Sequence, residues 1–139
     1  MIILDTNVLS ETMAPVPSIG VMAWLASQPV DELCTTAVCK AEILAGIARM
    51  PTGKRRRELQ TEADAMFDED FERGILAFDS GAAEIYAEMM GQRYARGRIV
   101  SRLDVQIAAI TRLHGAILAT RNTADFEDCG IRVVNPWEG

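Results

Sequence analysis

Short apolar runs alternate with longer stretches of helical spacing along this chain, and that alternation predicts its elements. Ile2 to Leu4 is an apolar run that stops abruptly at Asp5. Pro15 and Pro17 then break the chain, and Ser18 is placed to cap a helix carrying Ile19, Met22, Trp24 and Leu25. Glu32 to Thr36 reads as a second strand. In Val38 to Met50 the residues Ile43, Leu44 and Ile47 recur at helical spacing, and Pro51 and Gly53 end the helix. A charged amphipathic helix runs from Lys54 towards Phe71. Gly74 precedes a strand, Ile75 to Phe78, and a helix follows over Ala82 to Arg96. Gly97 separates it from a helix over Ser101 to His114, which Gly115 terminates. Ala116 to Ala119 and Ile131 to Val134 are the last two strands. Strands separated by helices pair in parallel through right-handed crossovers. The expected fold is therefore α/β, a three-layer α/β/α sandwich on a parallel sheet of about five strands. With no repeat, linker or low-complexity tract, residues 1–139 read as a single domain.

Composition narrows this picture. A chain of 139 residues with 49% hydrophobic and 24% charged residues buries a full core without disulfides or structural metal. No apolar run reaches the length of a membrane span, and MIILDTN lacks the basic stretch and long apolar core of a signal peptide, so a cytoplasmic address is expected. Cys34, Cys39 and Cys129 match no redox or zinc spacing and read as small buried thiols. The net charge of −6 weighs against a nucleic-acid binder. Two basic groups relieve it locally: Lys54 to Arg57, and Arg93, Arg96, Arg98 and Arg102. The simpler reading of both is a solvated helix end and a solvated loop. Bound divalent cations would let an acidic enzyme hold RNA all the same.

Candidate chemistry lies with the acids, because ligands of open parallel sheets bind beyond the carboxyl ends of the strands. Asp5 stands at such an end, although Thr6 and Asn7 after it also suit a helix cap. Glu42 lies among Val38, Cys39, Ala45 and Gly46, a face of mostly small residues that allows close approach to the sheet. A carboxylate there needs a partner or a cation. Asp104 opens a helix in SRLDVQIAAI, where Ser101 and Asp104 have capping-box spacing, yet Asp104, Ala108 and Thr111 also share a face. Asn122 and Asp125 follow a strand in ATRNTADF, where both types favour turns. The single histidine, His114, disfavours histidine-based catalysis and zinc, and reads as a helix C-terminal residue. Hard oxygen donors suit Mg²⁺ or Mn²⁺, which promote phosphodiester hydrolysis by orienting a water and stabilising the leaving oxygen.

The runs IILDTNVLSE, AEILAGI, LDVQIAAITRLHGAILATRNTADF and RVVNPW resemble PIN-domain ribonucleases, most closely the FitB-like branch of the VapC toxins. The resemblance spans the whole chain in order. It implies an RNA-cleaving toxin with a divalent-metal site, in which Asp5, Glu42 and Asp104 match the three acidic positions of the family. The fourth position varies between the slots of Asn122 and Asp125; here the acid is Asp125, with Asn122 a neighbouring polar group. Thr6 and Thr120 lie beside matching positions, suited to hydrogen-bond the acids or a water. Val105 stands where a small residue is usual, a departure that concerns local packing and not the acid before it.

The resemblance further implies a homodimer and a small antitoxin that covers the site and reaches operator DNA with its other half. Met13, Met22, Trp24 and Leu25 are candidates for the receiving groove, or equally for ordinary core. Two other readings compete. A haloacid-dehalogenase-like phosphohydrolase also opens on an apolar run and an aspartate, but needs a second aspartate where this chain has Asn7. A catalytically weak PIN domain serving only as a partner in a repressor complex is the other.

Overall fold

The computed structural model describes residues 1–98 and 101–139. Five short strands, β1 (Ile2–Leu4), β2 (Leu33–Thr36), β3 (Ile75–Leu76), β4 (Ile117–Ala119) and β5 (Arg132–Val134), form one sheet in the order β3-β2-β1-β4-β5. Every neighbouring pair is parallel, with Ile3 beside both Cys34 and Leu118, and Thr36 beside Leu76. Among the described residues, six α-helices connect the strands: α1 (Thr6–Thr12), α2 (Ile19–Ala26), α3 (Ala37–Ala48), α4 (Lys54–Glu69), α5 (Ser80–Ala95) and α6 (Arg102–Leu113). The chain steps outward from β1 to β2 and β3, then returns across the sheet to β4 on the other side of β1. Right-handed crossovers in these two directions put the helices on opposite faces, giving the α/β/α sandwich.

The interior follows from the apolar pattern. Ile3, Leu118 and Ala119 of the central strands are fully or almost fully buried, as are Ile107, Ala108, Ala109 and Ile110 of α6. Val105 joins them, so the larger residue after Asp104 is accommodated in the core. The three cysteines are free and buried, as expected. His114 follows the last turn of α6 as its C-cap. Gly115, at φ +59°, then takes the left-handed turn into β4.

Three features differ from the sequence reading. The first is α1, seven residues that bury only Val8 and Leu9 and carry too little periodicity to stand out. The second is β3, which ends at Leu76, two residues short of Phe78; Phe78 instead packs edge-to-face on Tyr86 of α5. The third is the second basic group, which is no solvated loop throughout. Arg93 is 3% exposed; its Nη2 donates to the Glu127 carbonyl at 2.8 Å and contacts the Cys129 sulfur. Arg96 and Arg98 pair with Asp128 at 3.9 and 3.4 Å, and Asp128 has the uncommon φ of +62°. Arg93, Arg96 and Arg98 thus meet at one turn, whereas Arg102 is exposed. The Lys54–Arg57 run opens α4 at the surface, where Lys54 and Arg55 pair with Glu58. Among the described residues, no helix is long and apolar enough to cross a membrane.

Candidate active site

The strand order creates a crevice at one edge of the sheet. Connections leave β1 and β4 towards opposite sides, so the space beyond their carboxyl ends is left open. Asp5 follows the last residue of β1, and Thr120 follows the last residue of β4. The Asp5 amide donates to the Ala119 carbonyl at 3.0 Å, continuing the sheet by one bond and fixing where the carboxylate emerges.

Asp5 serves as a helix cap and also lines the crevice. Its Oδ1 accepts the Thr6 amide at 2.8 Å, which starts α1, while Oδ2 accepts the Thr120 hydroxyl at 2.7 Å. The side chain is 4% exposed. Burial raises its pKa above the usual carboxylate value; the Thr120, Thr6 and Cys39 hydrogen bonds oppose this, and the charge of Asp125 adds to it. The Cys39 thiol, pushed up to about 11 mainly by burial, stays protonated and lies 3.8 Å from Oδ1.

Glu42 reaches the crevice from the small-residue face of α3. The helix is started by Thr36, whose hydroxyl accepts the Cys39 amide at 3.1 Å directly after β2. The expected partner for Glu42 is Thr6, whose hydroxyl donates to Oε1 at 2.8 Å. Asp104 stands in the first turn of α6, below the Ser101 cap, whose hydroxyl accepts the Asp104 amide at 3.4 Å. Its carboxyl is pushed up to about 6, first by burial and then by the charges of Asp5, Asp125 and Glu42. Asp125, in the 3-10 turn Thr123–Phe126 after β4, is exposed, yet its charge is felt at both Asp5 and Asp104.

Asp5, Glu42 and Asp104 line a single cavity of about 450 Å³ together with Thr6 and Asn122. Asn122 contributes through its backbone, donating its amide to the Thr120 hydroxyl at 3.1 Å. Sequence reasoning missed five residues of this cavity: Asn7, Ser10, Glu11, Arg121 and Trp137. Asn7 is a hub, its Nδ2 donating to Thr120 Oγ1 at 3.1 Å and lying 3.4 Å from Asp5 Oδ2. Its Oδ1 accepts the Arg121 amide at 3.1 Å. The bonds to Thr120 and Arg121 join residues more than a hundred positions apart, so no local spacing announced them. At the point where a dehalogenase would carry its second carboxylate, this amide joins the ends of β1 and β4.

The donor set consists of oxygens, and neither Asp5 nor Asp104 has a cationic partner among the described residues. Crowded carboxylates without counter-charge suit a hard divalent cation. Among the described residues, no three acids, cysteines or histidines stand close enough to grip an ion as they are. The fit therefore rests on donor chemistry and uncompensated charge. A ready-made cage plays no part in it.

Known proteins give independent bearings. The PIN domain family matches residues 2–130. The chain is similar to VapC ribonuclease Y4jK of Sinorhizobium fredii, with 38% identity over 138 residues covering 99% of both proteins. It is 35% identical over 137 residues to Toxin FitB of Neisseria gonorrhoeae, again covering 99% of each. A solved structure of FitAB bound to an IR36 DNA fragment superposes with a TM-score of 0.90 at 35% identity, covering 99% of this chain and 96% of that one.

Proposed function

The chain belongs to the PIN-domain family, and from that premise we propose that it is a divalent-metal-dependent endoribonuclease, the toxin of a toxin–antitoxin pair. The observation that carries this reading is the convergence of Asp5, Glu42 and Asp104 on one cavity beyond the β1 and β4 ends, with Asp125 acting on two of them. Similarity to a protein named a VapC ribonuclease and to one named a toxin supports it.

In this reading Asp5, Glu42, Asp104 and Asp125 would hold Mg²⁺ or Mn²⁺, which when bound would supply charge stabilisation at the scissile phosphate and lower the pKa of a water. Thr120, Thr6 and Asn7 orient the carboxylates that hold it: Thr120 and Asn7 through Asp5, Thr6 through Glu42. In this reading no side chain acts as the nucleophile; the single histidine, His114, caps the end of α6 opposite Asp104. Burial of Asp5 keeps water from screening its charge, so the cluster attracts a cation more strongly than exposed acids would.

In this reading the partner is a small antitoxin that covers this cleft and holds operator DNA with its other half; similarity to FitAB, solved bound to a DNA fragment, supports it. An exposed apolar strip suits such a partner: Val16 and Ile19 are each 88% exposed and Met22 lies beside them on α2. Of the four candidate groove residues, Met22 is thus exposed, while Met13, Trp24 and Leu25 pack partly against the core. A homodimer and a cytoplasmic site of action complete the reading.

The test is cleavage of a mixed RNA pool by antitoxin-free protein in Mg²⁺, Mn²⁺ or EDTA, beside an identically prepared Asp104→Asn. Cutting that needs metal and disappears in the variant is expected. Cutting that persists in EDTA or in Asp104→Asn would overturn the mechanism.

A further inference from the structure

An acid-lined cleft that must receive a phosphodiester faces an electrostatic problem, since substrate and site repel. Metal ions relieve the repulsion at the scissile phosphate only. Neighbouring phosphates of the same strand need a cation from the protein. Among the described residues lining the cleft, Arg121 is the sole cationic side chain.

Three features single Arg121 out. Its guanidinium forms no ion pair among the described residues, so its charge is not spent on a nearby carboxylate. It lies over the ring of Trp137, 5.0 Å from the centroid, which holds one face of the planar group and leaves its N–H edge free. Its backbone is fixed too, because the Arg121 amide donates to Asn7, the residue that also joins Asp5 to Thr120. Trp137 is positioned in turn by its own amide, which donates to Asn135 Oδ1 at 2.9 Å. The result is an exposed guanidinium on a stacked platform, one residue from the β4 end of the site.

We infer that Arg121, held by Trp137, binds a phosphate of the single-stranded RNA next to the scissile bond and so draws the strand into the acidic cleft. This inference rests on the ribonuclease reading and adds to it the residue that receives the strand. A guanidinium makes two parallel hydrogen bonds to a phosphate, and one such contact is independent of base identity. Arg121 therefore contributes affinity and register, and leaves the choice of sequence to other residues.

The experiment is steady-state cleavage of a fluorophore-labelled pool of random single-stranded RNA 20-mers in Mg²⁺ at several KCl concentrations. Wild type would be compared with Arg121→Gln, Arg121→Lys, Trp137→Phe and Trp137→Leu, each first checked for an unchanged melting temperature. Arg121→Gln is expected to raise KM about tenfold with kcat nearly kept. It should also flatten the slope of log kcat/KM against log salt by ~0.7, the value of one lost phosphate contact on a single strand. Arg121→Lys should keep the slope while raising KM less. Trp137→Leu should raise KM about threefold, and Trp137→Phe, which keeps an aromatic face, should raise it less.

An Arg121→Gln with unchanged KM and slope, beside an active wild type, would overturn this inference and leave the ribonuclease reading intact. A loss confined to kcat, with the salt slope unmoved, would also overturn it. A wild type that cuts no RNA in Mg²⁺ or Mn²⁺ would instead remove the reading on which it rests.

Discussion

Two charges are buried in this protein to almost the same degree, and they are kept in opposite ways. Asp5 is 4% exposed and Arg93 is 3% exposed, and neither has an ion-pair partner among the described residues. Arg93 is held by neutral acceptors of a turn, the Glu127 carbonyl and the Cys129 sulfur, with its Nη1 unpartnered. It has no opening to a cavity of the site. Asp5 is held by a hydroxyl and an amide, lines an open cleft, and shares it with like charges that act on its neighbours. Burial alone therefore does not mark function. A buried charge closed off among fixed dipoles suits a structural role, whereas one that lines a cavity beside like charges suits, on the proposed reading, a ligand.

The sharpest way to break this contrast is to neutralise each charge. Asp5→Asn should abolish RNA cleavage while the melting temperature stays level or rises, because a desolvated carboxylate has been removed. Loss of fold in Asp5→Asn, seen by circular dichroism, would place Asp5 with the structural charges. Arg93→Ala should do the reverse. Urea titration should show a loss of about 3 kcal/mol from the cavity and the unpaired carbonyl, with metal-dependent cleavage retained by the folded fraction.

A smaller effect concerns pH. Asp104 has a folded-state pKa raised to about 6 from an unfolded value near 3.8. The folded protein thus holds its proton more tightly than the unfolded chain. The associated stability is fully present below pH ~4 and is lost as pH rises through ~6. In EDTA, denaturant titration should find the protein less stable at pH 7 than at pH 4.5 by on the order of 1 kcal/mol from this group, the full shift being reduced by solvent screening. Asp104→Asn should remove that part of the slope, and saturating Mg²⁺ should reverse it at pH 7 through binding to the ionised form. Smallest of all, Lys54→Ala should change stability by less than about 0.5 kcal/mol, since its pair with Glu58 is exposed.

What could be read from the sequence divides along the same line. Strands β1, β2, β4 and β5 were legible because their apolar runs end sharply at polar residues or glycine. The longer helices were legible because Ile43, Ile47, Ile107 and Ile110 recur at helical spacing. Asp5, Glu42 and Asp104 were singled out because each acid interrupts a small or apolar face, and all three line one cavity. The contacts of Asn7 with Thr120 and of Arg121 with Trp137 were hidden, because they depend on which strands become neighbours. For Arg93 a signal existed and was not used. It lies four residues after Met89 on α5, and both are almost fully buried.

The central position of β1 has a consequence for the protein's own synthesis. Asp5 leaves the ribosome 115 positions ahead of the Thr120 hydroxyl that steadies it. At translation speeds of about 5–20 residues per second, that gap is roughly 6–23 s. During this interval the chain holds an acid without its neighbouring strand, and no cleft exists. On the ribonuclease reading the chain would be unable to cut RNA until β4 docks against β1, so the order of the strands would delay its activity.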